Sequence, residues 1–118
     1  MKLWIDDIRE APKGYTWCQS VNKAKEAIIN SENTIEEINK MFFPDWYMCM
    51  VRDQSRITVI DIDHDAGDYV SDGGDYIKLL DWLEATGRSY PIRIHSKNPV
   101  GIDNMRRIIR RNNWTEVI

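Results

Sequence analysis

No apolar run in the sequence approaches the roughly 20 residues that a helix needs to cross a bilayer, so a helical membrane protein is excluded. Asp6 and Asp7 interrupt the apolar N-terminal stretch at once, which argues against a signal peptide. The expected compartment is therefore the cytoplasm, with no membrane partner. Cysteine is scarce. Cys18 and Cys49 stand apart without a Cys-x-x-Cys pair, which excludes a disulfide framework and a thiolate metal cluster. Both are expected as small apolar core residues. Linkers, repeats and low-complexity tracts are absent. The net charge of −3 excludes a global attraction to nucleic acid or to an anionic membrane.

What remains is an ordinary globular balance, 42% hydrophobic and 30% charged, over 118 residues. That length predicts a single domain over residues 1–118, able to bury a core of its own. Five Trp are many for so short a chain, and Trp suits both a core and a binding rim.

The chemistry gathers at the ends of apolar runs. Ile57–Gly67 (ITVIDIDHDAG) begins as a strand and ends in Asp61, Asp63, His64 and Asp65. Asp and His are poor strand formers, so the cluster is expected at a strand's carboxyl end, where α/β proteins place ligand sites. Leu3–Asp7 (LWIDD) runs likewise into two carboxylates, and Pro91–Ser96 (PIRIHS) into His95 and Ser96. Parallel, neighbouring strands would bring all three ends to one rim.

The rest of the chain supports such a sheet. Strands are expected at Met1–Asp6, Tyr15–Gln19, Ile57–Ile62, Pro91–His95 and Trp114–Ile118. The eight residues of Asp7–Gly14 leave room for a loop but not for a helical crossover. Ser20 is a good N-cap for a helix over Val21–Asn30. A break is expected at Asn30–Asn33, then a second helix over Ile35–Phe42, opened by the capping box Thr34–Glu37 and stopped by Pro44. Asp45–Arg56 reads as strand, helix or ordered loop. Tyr76–Ala85 and Ile102–Asn112 are amphipathic helices, the latter bearing Arg106, Arg107, Arg110 and Arg111. Asp72 or Asp75 would cap the Tyr76 helix. The alternation predicts an α/β fold with a mainly parallel sheet of about five strands.

Asp6, Asp7 and Asp63 offer hard oxygen donors of the kind that Mg²⁺ or Mn²⁺ selects. Without a cation they would repel and raise one another's pKa. His64 and His95, the only histidines, fall at candidate rim positions where they could move protons. Ser96 and Asn98 are neutral hydrogen-bonding candidates beside His95, or a turn cap before Pro99. Arg9 is a candidate substrate-binding cation, or a partner of the acid pair. The Arg-rich helix is either a solvated face or a local attractor of phosphate.

The acid pair, the central acid and the Ser after the next strand resemble the receiver domain of response regulators. That resemblance implies a flavodoxin-like three-layer fold. It matches Asp6 and Asp7 to the acid pair that helps hold Mg²⁺, and Asp63 to the phosphoaccepting aspartate. Asp65 matches the position whose backbone carbonyl meets the metal, and Ser96 the hydroxyl residue that contacts the phosphoryl group. The pattern departs from a receiver in three places. The first helix has no room, the last helix is missing, and Glu116, Val117 and Ile118 stand where the fifth strand would end in lysine. LWIDDIREAPKG, IDIDHDAG, DGGD and IHSKNPVG are more similar to a divergent branch, the cyclic-phosphate-processing receivers. This implies metal-dependent hydrolysis of a cyclic phosphate on a nucleotide or an RNA end. Asp63, His64 and His95 would be catalytic, Ser96, Asn98 and Arg9 would bind substrate, and Asp6, Asp7, Asp63 and Asp65 would hold the metal. The other readings are a phosphoacceptor or pseudo-receiver module, and a non-catalytic nucleotide or nucleic-acid binder.

Overall fold

The computed structural model describes residues 1–40 and 46–118, the side chains of residues 46–48 excepted. The elements run β1 (Lys2–Ile5), β2 (Tyr15–Cys18), α1 (Val21–Lys40), α2 (Trp46–Ser55), β3 (Val59–Ile62), α3 (Ile77–Ala85), β4 (Ile92–Ile94) and α4 (Pro99–Arg111). All strand pairs are parallel, in the order β2-β1-β3-β4. This is the expected receiver-like α/β fold. The expected fifth strand is reduced to a single bridge between Ile92 and Glu116, with the Val117 amide donating to the Ile92 carbonyl at 2.7 Å.

The described helices form one layer on one face of the sheet, where a three-layer fold was expected. The crossovers from β2 to β3 and from β3 to β4 run the same way along the sheet, and parallel crossovers are right-handed. They therefore place α1 and α3 on the same face, with α2 packed on α1 and α4 on α3. Leu3, Ile5, Ile60, Ile62 and Ile92 point into this layer and are wholly buried. They meet Val21, Ala24 and Ile28 of α1, Leu79, Leu80 and Leu83 of α3, and Met105, Ile108 and Ile109 of α4. The alternation of β1 and its register put Lys2, Trp4, Tyr15, Trp17, Val59, Asp61 and Arg93 on the other face. Among the described residues no helix covers that face. The loop of residues 6–14 stands in for a receiver's first helix, tied to the sheet where the Trp4 indole donates to the Arg9 carbonyl at 2.8 Å.

Two sequence expectations are corrected in the connection to β3. α1 begins after Ser20, whose hydroxyl caps the Lys23 amide, but it does not break at Asn30–Asn33. It continues to Lys40. Thr34 donates to the Asn30 carbonyl at 2.8 Å instead of opening a new helix. The polar residues that looked like a break have tertiary partners. Ser31 is buried and donates to the Ser55 carbonyl of α2 at 2.6 Å. Glu32 accepts two bonds from Arg88 (2.7 and 3.0 Å) and one from Tyr90 (2.9 Å). The ambiguous stretch before β3 is helical from Trp46 to Ser55, while the stop at Pro44 lies outside the described residues. Cys49 is exposed and not a core residue, and Cys18 is buried as expected.

The Glu32 clamp carries a pH dependence. The Arg88 guanidinium and then the Tyr90 hydroxyl hold the Glu32 carboxyl below its usual range, outweighing desolvation. A lowered carboxylate stabilises the fold above its unfolded pKa, and that stabilisation is lost as pH falls through the folded value. Glu32 is partly exposed, so screening trims the bidentate bond to about 1 kcal/mol. Urea denaturation of Glu32→Gln should show a loss of that size at pH 7, and the gap to wild type should close on acidification below the ordinary glutamate range.

Candidate metal centre and catalytic rim

Asp6 leaves β1 and turns the chain back on itself. Its Oδ1 accepts from the amides of Ile8 (3.0 Å) and Arg9 (2.9 Å), an Asx-type turn that shapes the loop in place of a helix. Its Oδ2 faces His95 Nε2 at 2.9 Å. Burial pushes the Asp6 carboxyl up, but the two amides and His95 together draw it below its usual range. Asp7 follows at half-burial. Desolvation raises its pKa, and the charges of Asp6 and Asp63 add to the rise. Asp63 emerges from β3 beside them, its amide bonded to the Ile5 carbonyl and its Oδ1 accepting the His64 amide at 2.8 Å. Oxygens of Asp6, Asp7 and Asp63 all lie within 4.8 Å of one another.

This cluster fits a hard divalent cation. The donor set is all oxygen, and the mutual repulsion recorded in Asp7 is what a cation would relieve. The backbone is built tightly around it. Gln19 Nε2 donates to the Asp7 carbonyl at 3.2 Å, and the buried Tyr76 hydroxyl donates to the Gln19 carbonyl at 2.7 Å. Asp75 does not cap α3. Its carboxylate accepts the Ala66 amide at 3.0 Å and holds the loop after Asp63, while Tyr76 occupies the helix start without a side-chain cap. Gly67, at φ +55°, lies so close to Asp7 that an added Cβ would fall on its Oδ2. Gly67→Ala should therefore displace that carboxylate and weaken Mn²⁺ binding about tenfold, read by electron paramagnetic resonance titration. The left-handed backbone adds a stability cost of about 1–2 kcal/mol.

The two histidines lie on opposite sides of the cluster. His95 is on the sheet face without helices, between two buried carboxylates: Nδ1 meets Asp61 Oδ1 at 2.6 Å and Nε2 meets Asp6. Trp4 stacks on its ring at 3.8 Å between centroids, 6° from parallel. Asp61, wholly buried, also takes Arg93 Nη1 at 3.4 Å. His64 sits on the helix side, its Nδ1 on Asp65 Oδ1 at 2.8 Å. Its ring packs so closely on α4 that a Cβ at Gly101 would stand 2.5 Å from Cγ. Each histidine thus has its Nδ1 on a carboxylate.

The remaining candidates are placed as follows. The Asp65 carboxylate is turned to His64 and, at 3.5 Å, to the Asn98 amide, and it lies outside the three-acid group. Asn98 caps α4, its Oδ1 accepting the Gly101 amide at 3.0 Å, and Ser96 Oγ accepts the Asn98 amide at 3.1 Å. These bonds start α4 at Pro99, three residues before the expected Ile102. Arg9 gives its backbone to Asp6 and Trp4 and leaves its side chain exposed. Of the four arginines of α4, Arg106 pairs with Glu116 and Arg111 with Glu84, both salt bridges of the fold. The roles of Asp61 and Trp4 at His95 were not read from the sequence. One signal for Asp61 was present: an aspartate inside an apolar strand needs a buried partner.

A parallel sheet in receiver order, with an acid cluster at its carboxyl rim, defines a receiver-type domain. The model of the cyclic-phosphate processing receiver domain matches residues 1–111, and the chain belongs to that family. No curated protein and no solved structure matches the chain. No described helix is long and apolar enough to cross a membrane.

Proposed function

We propose that the protein is a metal-dependent phosphoesterase that hydrolyses a cyclic phosphate on a nucleotide or an RNA end. The observation that carries this reading is the three-acid cluster flanked, on opposite sides of the sheet, by His64–Asp65 and His95–Asp61. Asp6, Asp7 and Asp63 would hold Mg²⁺ or Mn²⁺, and a cation there neutralises phosphate charge. His64, fixed by Asp65 through Nδ1, exchanges a proton at Nε2 and serves as general base toward water. The water oxygen bonds to phosphorus, and one ester P–O bond of the ring breaks. His95 Nε2, which meets Asp6 Oδ2 in the free protein, would exchange that contact for the departing ribose oxygen and give it its proton, leaving a phosphomonoester and a free hydroxyl. Placement on opposite sides of the cluster suits an in-line displacement, in which the attacking and leaving oxygens need separate proton partners. Asn98 and Ser96 shape the far wall, and the exposed Arg9 is available to a phosphate oxygen. A cytoplasmic enzyme acting on RNA or nucleotides is consistent with these features.

The test is turnover of uridine 2′,3′-cyclic phosphate, followed by ³¹P NMR with Mg²⁺ or Mn²⁺. The expected product is the monophosphate. Wild-type protein that binds Mn²⁺ but leaves both the nucleotide and cyclic-phosphate RNA intact would overturn the proposal.

A further inference from the structure

The sheet face opposite the helices has an unusual chemistry for an uncovered surface. A face made to receive a helix is aliphatic, as the buried one is. This face presents Lys2, Trp4, Tyr15, Trp17 and Arg93 around the buried Asp61, with Val59 its only aliphatic residue in the paired strands. Trp17 is 38% exposed, Trp4 and Tyr15 are part-exposed, and Lys2 and Arg93 are exposed. Trp4 and Tyr15 meet edge to face at 5.8 Å, and Lys2 lies 5.4 Å from the Tyr15 ring centre. The adjoining loop adds the exposed Arg9 and Lys13 against one exposed acid, Glu10, its other two acids, Asp6 and Asp7, belonging to the cluster at the rim. Asp61 is already taken up by His95 and Arg93. The surface is therefore locally cationic and aromatic on a chain of net charge −3. It is also continuous with the rim, because Trp4 stacks directly on His95.

We infer that this face binds the single-stranded RNA segment leading to a 3′-terminal cyclic phosphate. Bases stack on its rings, and backbone phosphates lie near Lys2 and Arg93. A four-stranded sheet whose aromatic side chains stack two or three bases is a general solution for single-stranded RNA. Such stacking tolerates any base and is worth about 5- to 150-fold in affinity per base. The inference rests on the cyclic-phosphate reading of the rim and narrows its substrate from a free nucleotide to an RNA end.

The experiment compares an eight-nucleotide RNA ending in a 2′,3′-cyclic phosphate with uridine 2′,3′-cyclic phosphate, using the full chain. The octamer should be turned over with a kcat/KM at least tenfold higher. Tyr15→Ser and Lys2→Ala should each reduce that advantage fivefold or more and leave mononucleotide turnover within twofold. Lys2 is exposed and safe for folding should Tyr15→Ser prove unstable. A parallel arm measures binding of the same octamer with a 3′-hydroxyl, by fluorescence anisotropy. If neither substrate is hydrolysed but octamer binding depends on Tyr15 and Lys2, the RNA platform stands and the hydrolysis reading fails. Equal turnover of octamer and mononucleotide overturns the platform and leaves the hydrolysis reading intact. An octamer preference that survives both substitutions, absence of octamer binding, or a Tyr15→Ser effect on self-association alone also overturns it.

Discussion

Replacing His95 with alanine is expected to cost the fold about 3 kcal/mol, the upper end of the cost of leaving a buried hydrogen-bond acceptor unpaired. Asp61 has no exposed surface and loses its 2.6 Å partner, keeping only an Arg93 contact at 3.4 Å from a half-exposed side chain. Trp4 loses the ring stacked on it. Asp6 suffers less, since the Ile8 and Arg9 amides still bond its other oxygen. Total stabilities of 5–15 kcal/mol are usual for domains, so the variant stands near the edge of folding. Asp61→Asn, which keeps the shape and removes the stranded charge, resolves the cause. Combined with His95→Ala it should cost about 1–3 kcal/mol less than the sum of the two single losses. Urea denaturation of the four proteins measures this coupling. A single-variant loss below about 1 kcal/mol would show that the His95–Asp61 bond does not hold this part of the sheet.

Asp63→Asn should have the opposite profile, with function lost and the metal-free fold unharmed. The charges of Asp6 and Asp63 help desolvation to raise Asp7. A carboxyl raised by folding stabilises the native state only below its unfolded pKa. That contribution disappears as pH rises through the folded value, so at pH 7 the Asp7 carboxylate carries a cost. Removing the Asp63 charge relieves part of that cost. The metal-free variant should melt at or above the wild-type temperature, most visibly above the ordinary aspartate range. The rise in melting temperature that wild type shows with Mn²⁺ should vanish. Turnover of uridine 2′,3′-cyclic phosphate should fall at least 100-fold, which corresponds to about 2.7 kcal/mol of lost transition-state stabilisation. A variant that is inactive because it is unfolded would contradict this account, as would one that keeps its Mn²⁺ response.

The two substitutions separate residues of similar appearance in the sequence. Asp61 and Asp63 are both acids of the stretch IDIDHD. Asp61 lies within β3 and is wholly buried on His95, whereas Asp63 lies beyond the strand at the rim. Strand ends were legible because carboxylates and histidines end apolar runs, and parallel pairing then brings the ends to one side. Asn98 was legible only as a turn cap before Pro99; the helix that it caps starts at Pro99 and not at Ile102. The continuity of α1 was not. Ser31, Glu32 and Thr34 look like a break until Ser55, Arg88 and Tyr90 arrive from elsewhere in the chain.

By itself, the sequence determined the class of fold, the parallel order of alternating elements and the acids that gather at the rim. These follow from local propensity and from the period of apolar residues, which neighbours in the chain suffice to express. Tertiary structure alone decided that His95 is clamped between Asp6 and Asp61, and that the two histidines flank the cluster from opposite sides of the sheet. It also decided that one sheet face carries aromatic and cationic groups and, among the described residues, no helix. Each depends on strand register and crossover handedness, which bring together residues as far apart as Trp4 and His95. Such pairings appear only when the strands are laid side by side.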